Sequence, residues 1–522
     1  MEKILEIIAN VNNAINSVVW GWPMIILILG TGILLTIRTR FLQLRKFGTS
    51  WDETIISTVK SIDVKKKPKA HKKEKSISPF EAFATAISGT VGTGNIIGVT
   101  SAIMAGGPGA VFWMWISAFF GMVTNYSENV LGMYYRKKDY AGEFSGGPMY
   151  YLSEGVGRDA KGAWAPVIKT FAKILAVMAA VFCVCAAIGM SGVQTSKISS
   201  TYQSVFSSLD SQVVGLVVGI IVAIVLALII LGGIKSIGRV TAILVPFMSL
   251  IFIVLAIIII IANIGAVGSA FGLIFGNIAT LPAVAGGIGG FAISEFMRVI
   301  QKGLARGVFS NEAGLGSSVI AHSASENREP VKQGLWGIFE VFFDTFIICT
   351  LTAIVILVSL DPKIIYARDA AGALVNTDTN LSMLAFSNTV GVAGKVIYAL
   401  FIPLFAFTTI LAWSYYGEKC VDYLFIKTGE KGRKIAKFVF KVVYVLLVIV
   451  SAIIDGELLW AISDTANGLM ALPNLIGLVI MSGLIVKITK NYFDRKKGKD
   501  VKPMLSAYED FNEEFANDIK AE

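Results

Sequence analysis

Two histidines and four cysteines are all that this chain of 522 residues offers of the side chains that most often bind transition metals or act as nucleophiles. His71 sits in a lysine-rich stretch and His322 stands alone, and no HExxH, GxSxG or CxxC spacing occurs. A metalloenzyme, a serine hydrolase or a thiol enzyme has too few parts here. Cys183, Cys185, Cys349 and Cys420 lie in or beside apolar runs and read as small buried residues rather than a disulfide framework. Charge is equally scarce: 16% of the residues are Asp, Glu, Lys or Arg, against about a quarter in soluble domains. The net charge of +10 is no nucleic-acid signature, because the Lys and Arg fall between apolar runs rather than along one face.

Apolar sequence is what remains. The chain is 55% hydrophobic, with a mean hydropathy of +0.69. It predicts an all-α polytopic membrane protein of eleven spans, near 18–38, 79–105, 109–135, 170–192, 212–233, 240–264, 282–323, 332–359, 392–416, 435–454 and 457–487, most of them close to the roughly 20 residues a bilayer requires. The N-terminus lacks a basic start before its apolar run, so the first span is expected to be retained rather than cleaved. Segments 38–78, 136–169, 417–441 and the tail after 487 hold most of the Lys and Arg, whereas the other side holds Lys3, Lys197, Lys363 and Arg368. Alternating spans then place the N-terminus outside and the C-terminus in the cytoplasm, at the plasma membrane. The Lys-rich 65–75 stretch reads as a solvated linker with an attraction for anionic lipid.

Two spans are interrupted. ISGTVGTGNIIGV, from Ile87 to Val99, and RGVFSNEAGLGSSVIAHS, from Arg306 to Ser323, place glycines, an asparagine and hydroxyls inside apolar sequence. Open backbone at membrane depth persists only where it lines a cavity or coordinates something. With the first span set aside, five spans run from 79 to 264 and five from 265 to 487, each set led by an interrupted one. Five is odd, so the sets cross in opposite senses, which is an inverted repeat. The segments 1–78 (a first span and the linker) and 488–522 (a charged tail) flank this core.

Four blocks in order, SGTVGTGNIIGV (88–99), SGGPMYYLSEG (145–155), LARGVFSNEAGLGSS (304–318) and WAISDTANGLMALPNL (460–475), resemble the signatures of the alanine/glycine:cation symporter family of the amino acid–polyamine–organocation superfamily. The resemblance spans roughly residues 15–490. It implies a leucine-transporter-type five-plus-five inverted repeat, no enzymatic activity, no cofactor, and cotransport of alanine or glycine with Na⁺. The Lys-rich linker and the long tail depart from the family pattern.

A small zwitterion needs a carboxylate site, an ammonium site and a size limit. The half-helix starting at Gly92–Thr93–Gly94–Asn95 offers free N–H groups to a carboxylate, and Gly92 and Gly94 allow close backbone approach. Close packing of helices is the other use of Gly89, Gly92, Gly94 and Gly98. The second break offers Phe309, Ser310, Asn311 and Glu312. Glu312 either attracts cations or ties the break to a neighbour such as Arg306. Gln194, after the fourth span, carries an amide suited to either end of the substrate. Trp413, one turn after Thr409, caps a small pocket or packs. In related folds the cation lies between the first broken helix and the ninth span, so the resemblance implies Na⁺ ligands from carbonyls near Gly89 and Gly92 with Thr408 and Thr409. Glu81, Asn125, Glu128, Glu295, Arg298, Glu340, Asp344 and Asp464 are read as interhelical pairs or vestibule lining, and Pro473 and Gly468 as a bend. A proton-coupled symporter, with Glu312 as carrier, is the alternative; a channel or membrane enzyme is more distant. Oligomeric state stays open, and a monomer satisfies everything above.

Overall fold

Residues 2–63, 76–278, 289–369, 374–454 and 456–521 are described by the computed structural model of the chain. The Lys-rich 65–75 stretch with His71, the start of the second interrupted span (282–288) and the side chain of Glu295 lie outside the described residues.

The chain is built from helices: α1 (Glu2–Val19), α2 (Trp22–Arg38), α3 (Pro79–Thr90), α4 (Ile97–Gly106), α5 (Ala110–Tyr134), α6 (Ala165–Val205), α7 (Ser211–Ile230), α8 (Gly233–Ala262), α9 (Gly289–Asn311), α10 (Ser318–His322), α11 (Pro330–Val341), α12 (Thr350–Ser359), α13 (Asp378–Val390), α14 (Val392–Leu424), α15 (Gly429–Ser451), α16 (Gly456–Lys496) and α17 (Glu509–Ala521). A two-stranded hairpin pairs Lys137–Lys138 with Phe144–Ser145. Among the described residues, six helices are long and apolar enough to cross a membrane, and up to eight spans result if each bent pair counts once. Those pairs are α1 with α2, bent by 43°, and α3 with the segment Thr93–Gly106, bent by 55°. Each expected span has helix among its described residues. The span of α5 is made less apolar by buried polar residues, Asn125, Ser127, Glu128 and Asn129.

Local chemistry sets the key boundaries. Ser78 Oγ accepts from the Glu81 N–H (3.2 Å), and the Ser78 N–H donates to Glu81 Oε2 (2.8 Å). This capping box starts α3 and accounts for Glu81 without an interhelical partner. The second break is shifted towards the end of its span. Glu312, Gly314 and Gly316 take positive φ of 54°, 96° and 74°, which ends α9 and leaves only the five residues of α10 beyond it. The two interrupted spans run antiparallel. Ile77 bridges to Ser325, Gly94 faces Phe309 and Ser310, and Gly106 faces Lys302 and Val299. Helices α6, α14 and α16 pack around this pair, and α14 and α16 contain Pro403 and Pro473 without interruption. Between α11 and α12 the chain widens into a π-helical stretch, Phe342–Cys349, a form that often marks functional positions.

Two details differ from the sequence reading. Cys185 is exposed rather than buried, while the other three cysteines are buried. The charged tail carries α17, which docks on the face that bears the Lys- and Arg-rich connections. Phe515 and Leu505 are buried with Phe144. The Arg136 guanidinium lies 4.0 Å from the Phe144 ring and 5.3 Å from that of Phe515. Arg328 pairs with Asp518 at 3.0 Å, and Lys138 with Glu514 at 3.2 Å. Arg136 also donates to the carbonyls of Ser323, Ser325 and Asn327, so the tail rests on the segment that leaves the second break. A tail read by composition alone looks solvated; the apolar Phe511 and Phe515, one turn apart, give it a face to bury.

Arg328→Asp should loosen α17 and speed protease cleavage between residues 499 and 509 by about fivefold, the effect of about 1 kcal/mol. Adding Asp518→Arg should restore most of the protection. Equal cleavage rates in all three proteins would show that this pair does not hold the tail.

Candidate functional site

The first break is a single 3₁₀ turn, Thr93–Asn95, in a wholly buried stretch. Its open backbone is tied by side chains. The Gly92 N–H donates to Asn95 Oδ1 (2.9 Å), and Thr93 Oγ1 donates to Gln194 Oε1 (2.8 Å) with the Thr93 N–H nearby at 3.3 Å. Gln194 lies well inside α6 rather than after a span. That helix continues through a polar sequence because residues 189–199 are buried against its neighbours.

Thr409, on α14, closes the other side. Its Oγ1 lies 2.9 Å from the Ser88 carbonyl and 3.0 Å from that of Phe405. Thr408 Oγ1 reaches the same Phe405 carbonyl at 3.0 Å, and Met248 Sδ at 3.6 Å. A hydroxyl has one proton and two lone pairs, so Thr409 can bond one carbonyl while its oxygen stays available. Gly92 is required by this closeness: a Cβ there would stand 2.4 Å from Thr409 Oγ1 and 3.4 Å from Gln194 Nε2. Gly94 has more room, with a Cβ meeting the Phe309 ring at 3.5 Å. Thr93, Gln194, Gly92 and Thr409 therefore converge at one end of the break, and Gly94 with Phe309 at the other.

Gly89, Glu312, Trp413 and Tyr416 form a separate group. Trp413, fully buried, meets Tyr416 edge-to-face at 5.4 Å. A Cβ on Gly89 would meet Tyr416 Oη at 2.8 Å and Glu312 Oε1 at 3.3 Å. Glu312 is not paired with Arg306; its Oε2 accepts from Ser317 Oγ at 2.5 Å.

Asp344 joins the two breaks, and its importance is not apparent from local sequence. It accepts from Asn95 Nδ2 (2.5 Å), Ser310 Oγ (2.9 Å) and Thr345 Oγ1 (2.8 Å), while Asn311 Nδ2 donates to Thr345 Oγ1 (3.2 Å). The signal available was a pair of carboxylates, Glu340 and Asp344, in the otherwise apolar run FEVFFDTFIICT. Glu128 plays a similar part at the second break. Its Oε1 accepts from the Gly314 N–H (3.0 Å), and Asn474 Nδ2 donates to that oxygen and to the Gly314 carbonyl (2.8 Å).

Aromatic rings and ion pairs close the other side. Phe309 stacks on Trp460 with centroids 5.1 Å apart. Arg306 pairs with Asp464 at 3.1 Å and lies 4.8 Å over the Trp460 ring. Lys197 pairs with Asp378 at 2.8 Å. Above this lid a cavity of about 1060 Å³ is lined by Lys197, Lys302, Arg306, Asp378, Trp460 and Asp464 among others. Asp464 thus borders this vestibule, on the face away from the docked tail. Trp460 was visible in the sequence only as part of a family block.

The arrangement offers a neutral, oxygen-rich niche beside broken helices, beneath an aromatic lid. The profile of the sodium:alanine symporter family matches residues 5–506. The sodium/alanine symporter AgcS of Methanococcus maripaludis is 39% identical over 93% of this chain and 98% of its own length. Two solved structures share the fold: MhsT in complex with L-phenylalanine, with a TM-score of 0.52 at 13% identity, covering 80% of this chain and 99% of its own, and a Na⁺-coupled sialic acid symporter, with a TM-score of 0.51 at 13% identity, covering 96% of each chain. With the leucine-transporter-type architecture in place and the match running almost end to end, the chain belongs to the sodium:alanine symporter family.

Proposed function

We propose that this multi-pass membrane protein imports a small neutral amino acid, alanine or glycine, together with Na⁺ by alternating access, with the halves 79–264 and 265–487 moving against each other. One observation carries the reading: the interrupted helix brings the Ser88 carbonyl to Thr409 Oγ1, which also lies against the Phe405 carbonyl of its own helix, one step from the backbone turn at Gly92–Asn95. Hard neutral oxygens suit a monovalent cation, and a half-helix N-terminus suits a carboxylate. Substrate contacts are assigned to Thr93, Gly94, Asn95, Gln194, Phe309, Thr409 and Trp413, and Na⁺ contacts to the carbonyls at Gly89 and Gly92 with Thr408 and Thr409. Burial of Trp413 and the tight fit at Gly92 favour a small side chain. The Phe309–Trp460 stack and the Arg306–Asp464 pair form the gate towards the vestibule. The concentration of Lys and Arg on the face that carries the tail supports a plasma-membrane protein with the C-terminus in the cytoplasm and the N-terminus outside.

The deciding experiment is uptake of alanine, glycine and serine into proteoliposomes with a Na⁺, Li⁺ or pH gradient as the only driving force. Uptake driven by Na⁺ at fixed pH is expected; uptake driven only by a pH gradient would replace Na⁺ by a proton. Thr409→Ala should raise the half-saturating Na⁺ concentration about tenfold, or about 1.4 kcal/mol, and an unchanged Na⁺ dependence would remove Thr409 from the ion site. Gly92→Ala should abolish alanine binding whereas Gly94→Ala retains it, since only the first brings a Cβ to 2.4 Å from Thr409 Oγ1. Equal tolerance at both positions would contradict this geometry. Trp413→Ala should admit larger amino acids, read as competition by leucine or phenylalanine for alanine uptake.

A further inference from the structure

Glu312 is not used by the reading above, yet its surroundings are incomplete. It is fully buried and takes a left-handed backbone, φ 54°, which costs a non-glycine residue energy unless its position matters. Ser317 bonds one carboxylate oxygen, but Oε1 has no hydrogen-bond partner. Oε1 faces the last turn of α3, where a Cβ on Gly89 would stand 3.3 Å from it and 2.8 Å from Tyr416 Oη. The Tyr416 hydroxyl is also fully buried and without a hydrogen-bond partner. The Trp413 N–H is directed at the same carboxyl but falls short of hydrogen-bonding geometry. Three unsatisfied polar groups from two elements thus gather beside a glycine. A native structure leaves such groups open only for a reason.

Among the described residues no cation is paired with them. Glu340 and Asp344 are charged neighbours of Glu312, and Cys183 also faces it. Arg306 is engaged with Asp464, and His322 Nε2 with Glu340 at 2.8 Å. The Gln333 amide donates to His322 Nδ1 at 2.8 Å, which leaves the proton of a neutral ring on Nε2, for Glu340. A buried carboxylate without a counter-charge is strongly unfavourable. Its open oxygen and the Tyr416 oxygen are acceptors of the type that a cationic group takes.

We propose that Glu312 Oε1 and Tyr416 Oη form a station for a monovalent cationic group, one helix turn beyond the Gly92 break towards the face that carries the tail. The group is either the substrate's ammonium or the Na⁺ that accompanies it, and Trp413 steadies the carboxylate from the side. The station rests on the symport reading, being the next stop for cargo released from the break.

The test uses the full-length protein in proteoliposomes, with Glu312→Gln, Glu312→Asp and Tyr416→Phe. Glu312→Gln keeps the shape and the Ser317 contact but loses the charge. It should leave Na⁺-dependent alanine binding within about threefold and lower net uptake by about tenfold or more. Glu312→Asp should recover part of the loss. Tyr416→Phe, which removes an unpaired hydroxyl, should fold normally and slow uptake several-fold. Radioactive sodium exchange without amino acid separates the sources: slowed exchange in Glu312→Gln identifies Na⁺, and unaltered exchange identifies the ammonium. Unchanged uptake in Glu312→Gln and Tyr416→Phe would overturn the station, as would equal loss of binding and uptake in both. A failure of the symport reading appears separately, as absence of Na⁺-driven uptake in the unaltered protein.

Discussion

Everything in this structure depends on open backbone being held inside a membrane-spanning bundle by side chains that reach it from other helices. The bilayer core supplies no water to bond freed peptide groups, so protein partners hold them. Asn95 serves Gly92 within the first break, and Gln194 comes across from α6 to serve Thr93. At the second break Asn311 Oδ1 accepts from the Ala313 N–H at 3.1 Å, Glu128 accepts from the Gly314 N–H, and Asn474 donates to the Gly314 carbonyl. The polar residues of α5, α6 and α16 therefore have one physical task in common. They keep two short stretches of chain unwound, in one shape, next to one another.

Asp344 makes the two breaks a single unit. Its carboxylate takes hydrogen bonds from Asn95 on the first interrupted span and from Ser310 on the second, and it is delivered by the π-helical widening between α11 and α12. A shift in either break would strain the other through this residue. The sides of the unit differ in chemistry. Towards the vestibule lie stacked rings and fully matched ion pairs, Arg306 with Asp464 and Lys197 with Asp378. Towards the tail lie carboxyl groups held by neutral donors, Glu312 by Ser317 and Glu340 by His322. Ion pairs can part and re-form as a lid, whereas unneutralised carboxyl groups have an unmet demand for positive charge.

The docked tail extends the same logic beyond the spans. Arg136 packs against the Phe144 and Phe515 rings while donating to three carbonyls of residues 323–327. That segment is also bridged to Ile77, just ahead of α3. The beginning of one interrupted span, the end of the other and the C-terminal helix are thereby held at one place. The family match ends at residue 506, so α17 is an addition to the shared core rather than part of it.

Sequence alone determined the membrane class, the order of the spans and the positions of both interruptions, because hydropathy and the conformational demands of glycine act locally. Thr93, Gln194, Gly92 and Thr409 could be singled out as polar or flexible residues in apolar surroundings, and the resemblance tied them to one chemistry. Only the tertiary structure decided which of them meet. The Cα of Gly89 packs beside Glu312 and Tyr416, Arg306 went to Asp464 instead of Glu312, and Asp344 became the joint between the breaks. Those pairings link residues as far apart as Asn95 and Asp344. No local pattern encodes such contacts, because they follow from how α5, α6, α14 and α16 pack around the unwound chain and from which donor each buried acceptor can reach.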